Sequence, residues 1–223
     1  MTTLHEAPVS TVLDRLFVLD ETASEAAAQT FGTLSDDERA ALMSSKTAYA
    51  DLYRRAKDLP LAVSRETGTL LYMLARASRA SAIVEYGTSF GISTLHLAAA
   101  LRDNGGGLLV GSEFEPSKVA KARANIAAAG LADLVEIREG DALQTLARDL
   151  PLSIDLVLLD GAKGLYPEIL ALVEPHLRRG AVIVADNAGW SPDYLARVRS
   201  PAAGYMSLPF GSDVELSIWT GSR

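Results

Sequence analysis

"IVEYGTSFGIST", residues 83–94, runs from an apolar stretch through two glycines four positions apart into residues able to open a helix. Beyond residue 81 that rhythm repeats. Short apolar runs at 82–86, 107–112, 134–138, 154–160 and 181–186 alternate with helical patterns at 92–102, 116–129, 141–149, 164–178 and 191–199. Strands that read as continuous apolar runs, separated by helices, predict a parallel sheet covered on both faces. The ending differs: "GYMSLPF" and "VELSIWT", separated by the turn-rich "GSD", predict a terminal hairpin. The expected fold class is α/β, a doubly wound Rossmann-like domain over 61–223 preceded by a helical extension over 1–60.

Within the extension, Val12, Leu13, Leu16 and Phe17 recur at helical spacing. Ser35 and Glu38 stand as in a capping box, with Asp36 and Asp37 favouring the positive end of the helix dipole. Pro60 interrupts the pattern, and a further helix is predicted over 64–79.

A chain of 223 residues, 48% hydrophobic and 22% charged, can bury one sizeable core. No apolar run approaches the roughly 20 residues of a membrane span. The start, "MTTLHEAPVS", has neither the basic nor the apolar region of an export signal. Cysteine is absent, which removes disulfides, thiolate zinc sites and cysteine nucleophiles, and which fits a reducing cytoplasm. A net charge of −7 argues against nucleic-acid or anionic-membrane partners, so a small-molecule substrate is expected.

In a sheet of this kind ligands bind beyond the carboxyl ends of the strands. After the first strand, Ser89 stands where a dinucleotide fingerprint needs its second glycine, so a NAD site is disfavoured. Glu113 ends the second strand, where a carboxylate can accept from both ribose hydroxyls; it can also be a solvated charge before Pro116. Asp141 follows the third strand, near where an adenine amino group would lie, or else caps the next helix. Asp160, Asp186 and Asn187 end the fourth and fifth strands, neighbours in the expected sheet. Two carboxylates and an amide suit a hard divalent ion such as Mg²⁺, and the same residues can instead cap helices.

Five stretches in order, "VEYGTSFGIST", "SEFEPSKVAKARAN", "GDALQTL", "DLVLLDGAKGLY" and "VIVADNAGWSPDYLARVR", resemble the class I S-adenosylmethionine-dependent methyltransferases. More narrowly, they are similar to the cation-dependent O-methyltransferases typified by catechol and caffeoyl-CoA O-methyltransferase. The resemblance covers roughly residues 60 to 220 and implies a strand order 3-2-1-4-5-7-6. It implies that S-adenosylmethionine is held by the loop residues Glu85, Gly87, Thr88, Ser89, Gly91 and Ser93, by Glu113 on the ribose, by Asp141 and Ala142 at the adenine, and by Asp160. It further implies a divalent cation on Asp160, Asp186 and Asn187, with Lys163 as general base beside Asp160, its pKa depressed by the cation. The acceptor would be a small hydroxylated aromatic with vicinal hydroxyls, and the protein a homodimer. Departures are visible: "DGAK" replaces the commoner "DADK", and without a side chain at Gly161 and with only a methyl at Ala162 the acceptor pocket is expected to be wider there or completed by other parts of the chain. Ser207-Leu208-Pro209-Phe210 contains no acid where catechol enzymes hold the second hydroxyl with a glutamate. Trp190 and Tyr166 are candidates for an aromatic pocket wall or, equally, for packing residues. The alternatives are a non-catalytic S-adenosylmethionine-binding protein and a NAD-dependent oxidoreductase.

Overall fold

The structure, a computed structural model, describes residues 2–32 and 35–221. Seven strands form one sheet: β1 (Ala82–Tyr86), β2 (Leu108–Glu113), β3 (Val135–Glu139), β4 (Ile154–Leu159), β5 (Leu177–Ala185), β6 (Tyr205–Phe210) and β7 (Val214–Trp219). Their order is β3-β2-β1-β4-β5-β7-β6, as the resemblance implies. β1 to β5 pair in parallel, and β7 joins β5 antiparallel with β6 outside it, so the terminal hairpin forms as expected.

Alternate residues of each central strand feed two separate cores. Ile83, Leu109, Leu156 and Leu158 face one apolar cluster, whereas Val84, Val110, Val157 and Leu159 face the other. Because both faces are buried, most positions must be apolar, which is why the strands read as near-continuous apolar runs. The first cluster is covered by α1 (Val9–Phe31), α4 (Arg65–Ala77), α5 (Ile92–Asn104) and α6 (Pro116–Ala128). The second is covered by α7 (Ala142–Thr145), α8 (Tyr166–Val173) and α9 (Pro192–Val198). Val9, Val12, Leu13, Leu16 and Phe17 of α1 are buried in the first core, so the start of the extension packs onto the domain.

Between α1 and α4 lie two short helices, α2 (Asp36–Met43) and α3 (Tyr49–Arg55). The capping box at the start of α2 forms: the Ser35 amide donates to Glu38 Oε2 at 2.8 Å, and the Glu38 amide donates to Ser35 Oγ at 3.2 Å. The side chains of Asp36 and Asp37 lie outside what the structure describes. Ser64 caps α4 by accepting from the Thr67 amide at 3.0 Å.

Two junctions differ from the sequence reading by more than two residues. The helix expected over 141–149 ends at Thr145, and the one expected over 164–178 stops in a 3₁₀ turn at His176, where β5 begins four residues early. Pro175 explains the second, since proline cannot supply the amide that a continuing helix needs.

β1 and β4 meet closely at their carboxyl ends. The Asp160 amide donates to the Tyr86 carbonyl at 2.8 Å, and Gly87 turns away at φ +97°. A Cβ on Gly87 would stand 2.6 Å from the Asp160 carbonyl oxygen. Gly87→Ala is therefore expected to cost ~2 kcal/mol or more, from positive φ and the clash together. The check is a lowered urea midpoint at unchanged slope.

Candidate active site

A cleft of about 620 Å³ opens at the carboxyl edge of the sheet, within the range of small-molecule sites. Gly87, Ser89, Glu113, Asp160, Lys163, Asp186 and Asn187 line it, together with Phe17 and Tyr53 from the N-terminal helices. Register brings the acids together: Leu159 pairs with Ala185, so Asp160 and Asp186 leave neighbouring strands at the same level.

Lys163 lies between them. Its ammonium is 2.9 Å from Asp160 Oδ1 and 4.0 Å from Asp186 Oδ2, with the side chain only 5% exposed. Burial lowers the lysine's pKa, but the attraction of Asp160, Tyr53 and Asp186 outweighs it, and the net shift is upward. The depressed value expected for a cation-loaded site is thus not the state of the cation-free protein. Burial pushes the Asp186 carboxyl up to about 7, and repulsion from Asp160 adds to this. Asn187 adopts a left-handed conformation, φ 48°, and its Nδ2 donates to Asp213 Oδ2 at 3.4 Å, leaving the amide oxygen for other contacts.

Asp213 was not singled out from the sequence. It occupies the turn between β6 and β7 and lines the cleft, so the hairpin does bring an acid to this edge, three residues beyond the Ser207–Phe210 stretch. The "GSD" turn was the available signal, but only the antiparallel return of β7 beside β5 carries it to the site.

The glycine loop divides into two sets of residues. Gly87 and Ser89 face the cleft, whereas Glu85, Thr88 and Ser93 are buried behind it and Gly91 begins α5 against Ala122. Glu85 accepts from Thr88 Oγ1 at 3.0 Å, Ser93 Oγ at 2.6 Å and Thr94 Oγ1 at 2.6 Å. Those side chains brace the loop from behind instead of lining the site. Glu113 accepts from the Ser89 amide and from the Glu115 amide, each at 2.8 Å, which aims its carboxylate at the loop.

Glu113 also borders a second, smaller cavity with Asp141, Ala142, Phe114, Tyr49 and Tyr53. Its volume is about 30 Å³, room for about two waters. Tyr49 from α3 stands edge-on to Phe114, ring centroids 6.0 Å apart. Asp141 caps α7 through the Leu143 amide at 2.9 Å while facing this cavity, so capping does not remove it from the cavity wall.

Packing decides three alternatives on the acceptor side. The space left by Gly161 is filled by the Tyr86 ring, onto which a Cβ would fall, so the pocket is not widened there. Tyr166 is fully buried, its hydroxyl donating to the Asp186 carbonyl at 2.7 Å, and supports the site from below. Trp190 is 37% exposed and lies outside the cleft lining, where Phe17 and Tyr53 are the aromatic groups instead.

The comparisons agree with this geometry. A family described as "Methyltransferase domain" matches residues 84–188. The O-methyltransferase TomG from Streptomyces achromogenes, solved in complex with SAM, is 30% identical with a TM-score of 0.63, covering 92% of this chain and 99% of that one. The chain belongs to the class I S-adenosylmethionine-dependent O-methyltransferase family. A catechol O-methyltransferase from Mycobacterium tuberculosis is 39% identical over 133 residues, 59% of this chain and 60% of that protein. The chain thus spans about 60% of the length of that relative. An O-methyltransferase structure from Klebsiella pneumoniae, 23% identical with a TM-score of 0.68, shares the fold over 95% of this chain and 90% of that one.

Glu85 gives this O-methyltransferase domain a titratable support. Burial raises its carboxyl from 4.5 to about 7, although the three hydroxyls pull it down. The folded state therefore binds the extra proton between those values, so the stability this group supports below pH 4.5 is lost as pH rises through 7. Glu85→Gln is expected to flatten the fall in stability between pH 4.5 and 7. Denaturation curves across that window check it; equal slopes for both proteins would contradict it.

Proposed function

We propose that this protein is an S-adenosylmethionine-dependent O-methyltransferase acting on a small, hydroxylated aromatic acceptor with two neighbouring oxygens, assisted by a divalent cation. The observation that carries the reading is the convergence of Asp160, Lys163 and Asp186 on the cleft floor beside Gly87.

The residues present fit a cation. Burial, reinforced by repulsion from Asp160, raises the Asp186 pKa, and one ammonium serves both acids. Among the described residues no group of three His, Cys, Asp or Glu side chains is poised for a metal. The third donor would be the Asn187 amide oxygen, and this all-oxygen set suits Mg²⁺ better than a softer ion. When bound, such a cation supplies the positive charge that lowers the pKa of an acceptor hydroxyl.

The protein's own groups supply the remainder. Gly87 and Ser89 leave backbone exposed to the methionine part of the cofactor, and Glu113 presents a carboxylate for the ribose. With Asp160 engaged by a cation, burial becomes the dominant influence on Lys163, and its pKa falls toward the range of a base that takes the acceptor's proton. Phe17 and Tyr53 offer apolar faces to an aromatic ring. Transfer requires the acceptor oxygen, methyl carbon and sulfur in line, so positioning and charge account for most of the acceleration.

Asp186→Asn is expected to lower Mg²⁺-dependent methylation of vicinal-hydroxyl aromatics by about a hundredfold or more. S-adenosylhomocysteine affinity, measured by calorimetry, should stay within about threefold of wild type, because the substitution removes less than one neutral hydrogen bond's worth of cofactor contact. Undiminished turnover would exclude the cation-assisted mechanism.

A further inference from the structure

Lys118 is a buried cation that the reaction outlined above does not use. It lies in the first turn of α6, is 1% exposed, and borders the large cleft. The cleft's other cations have carboxylate partners: Arg65 meets Asp14 at 3.1 Å, and Lys163 meets Asp160 at 2.9 Å. Among the described residues Lys118 has no ion-pair partner; its ammonium donates to Ser89 Oγ at 3.1 Å, while the Ser89 hydroxyl donates to the Pro60 carbonyl at 2.5 Å. An ammonium carries three N–H donors, and a buried charge is costly unless paired. Burial lowers the Lys118 pKa to about 8, against the pull of Glu113, which leaves the group mostly charged at neutral pH.

The two cavities orient a ligand. Glu113 borders both, whereas Asp141 borders only the small one and Ser89 and Lys118 only the large one. A nucleoside reaching Asp141 past Glu113 leaves its amino-acid end beside Ser89. That end carries an α-carboxylate into a cleft whose walls include Glu113, Asp160, Asp186 and Asp213. Those acids suit a sulfonium and an amine but oppose a carboxylate, which needs a cation not already paired.

Resting on the cofactor reading above, we infer that Lys118 recognises the α-carboxylate of S-adenosylmethionine and of its product. The lysine thereby selects the intact amino-acid end over analogues that lack the acid.

Calorimetry with S-adenosylhomocysteine and with its decarboxylated analogue, S-adenosyl-3-thiopropylamine, tests this on wild type, Lys118→Met and Lys118→Gln. The second variant serves should the first not fold. Either substitution is expected to weaken S-adenosylhomocysteine binding by about tenfold to a hundredfold, as for loss of a charged hydrogen bond. The decarboxylated analogue should change by less than about threefold, so that the wild-type preference for the carboxylate disappears in the thermodynamic cycle. Equal weakening of both ligands would overturn the inference, because Lys118 would then act only by holding Ser89 and the loop; no weakening would overturn it as well. Wild type binding neither ligand would instead refute the cofactor reading itself, and the inference with it.

Discussion

The close approach of β1 and β4 at their carboxyl ends governs the site. The Tyr86 carbonyl takes the Asp160 amide at 2.8 Å, and the backbone at Gly87 passes so near Asp160 that no side chain fits. That one contact sets the glycine loop against the acid that begins the cleft floor. Parallel pairing of β4 with β5 then adds Asp186 at the same level, and the hairpin beyond β5 adds Asp213. A change that separates β1 from β4 would separate the cofactor loop from the acids with which it must work.

Charge is distributed in two layers around this contact. Behind the loop, Glu85 is buried and satisfied by three hydroxyls, so it braces the turn without entering the cleft. In front, acids dominate, and the buried lysines differ in their partners. Lys163 is held charged by Asp160 despite its burial, whereas Lys118 donates to a hydroxyl and faces the Phe90 ring, with no ion-pair partner among the described residues, and burial prevails in lowering its pKa. The contrast follows from desolvation and attraction acting with opposite sign on the same kind of group. An acidic cleft attracts a cationic sulfonium, and the lysines define the places within it that an anion can occupy.

The N-terminal helices belong to the site as well as to the core. α1 contributes Phe17 to the large cleft while burying its apolar stripe on α5 and the sheet face. From α3, Tyr53 borders both cavities and Tyr49 narrows the smaller one against Phe114. The segment before α3 is seated by a close approach of Gly164 to the Ser44 and Ser45 carbonyls and by the Lys46–Glu168 pair at 2.5 Å. Tyr49 and Tyr53 thus make the extension a wall of the small cavity that Asp141 faces.

The sequence by itself determined the strands, their parallel character and the acids at their ends. Burial on both faces forces apolar runs such as Leu156–Leu159, and the residues that follow them necessarily lie at the carboxyl edge. It also marked the capping box at Ser35 and Glu38, because capping acts across three residues. Only the tertiary structure decided which polar groups face the cleft. Thr88 and Ser89 are adjacent in the chain, yet one braces Glu85 and the other lines the site, a difference set by the loop's backbone angles. Gly161 read as empty space until Tyr86 was seen to fill it. Asp213 carries only the signal of a turn and Lys118 none, since a turn acid and a helical lysine are ordinary on a surface. Pairing of distant strands and the packing of α6 beneath the loop bring them inward, and such long-range contacts leave no short-range pattern in a single sequence.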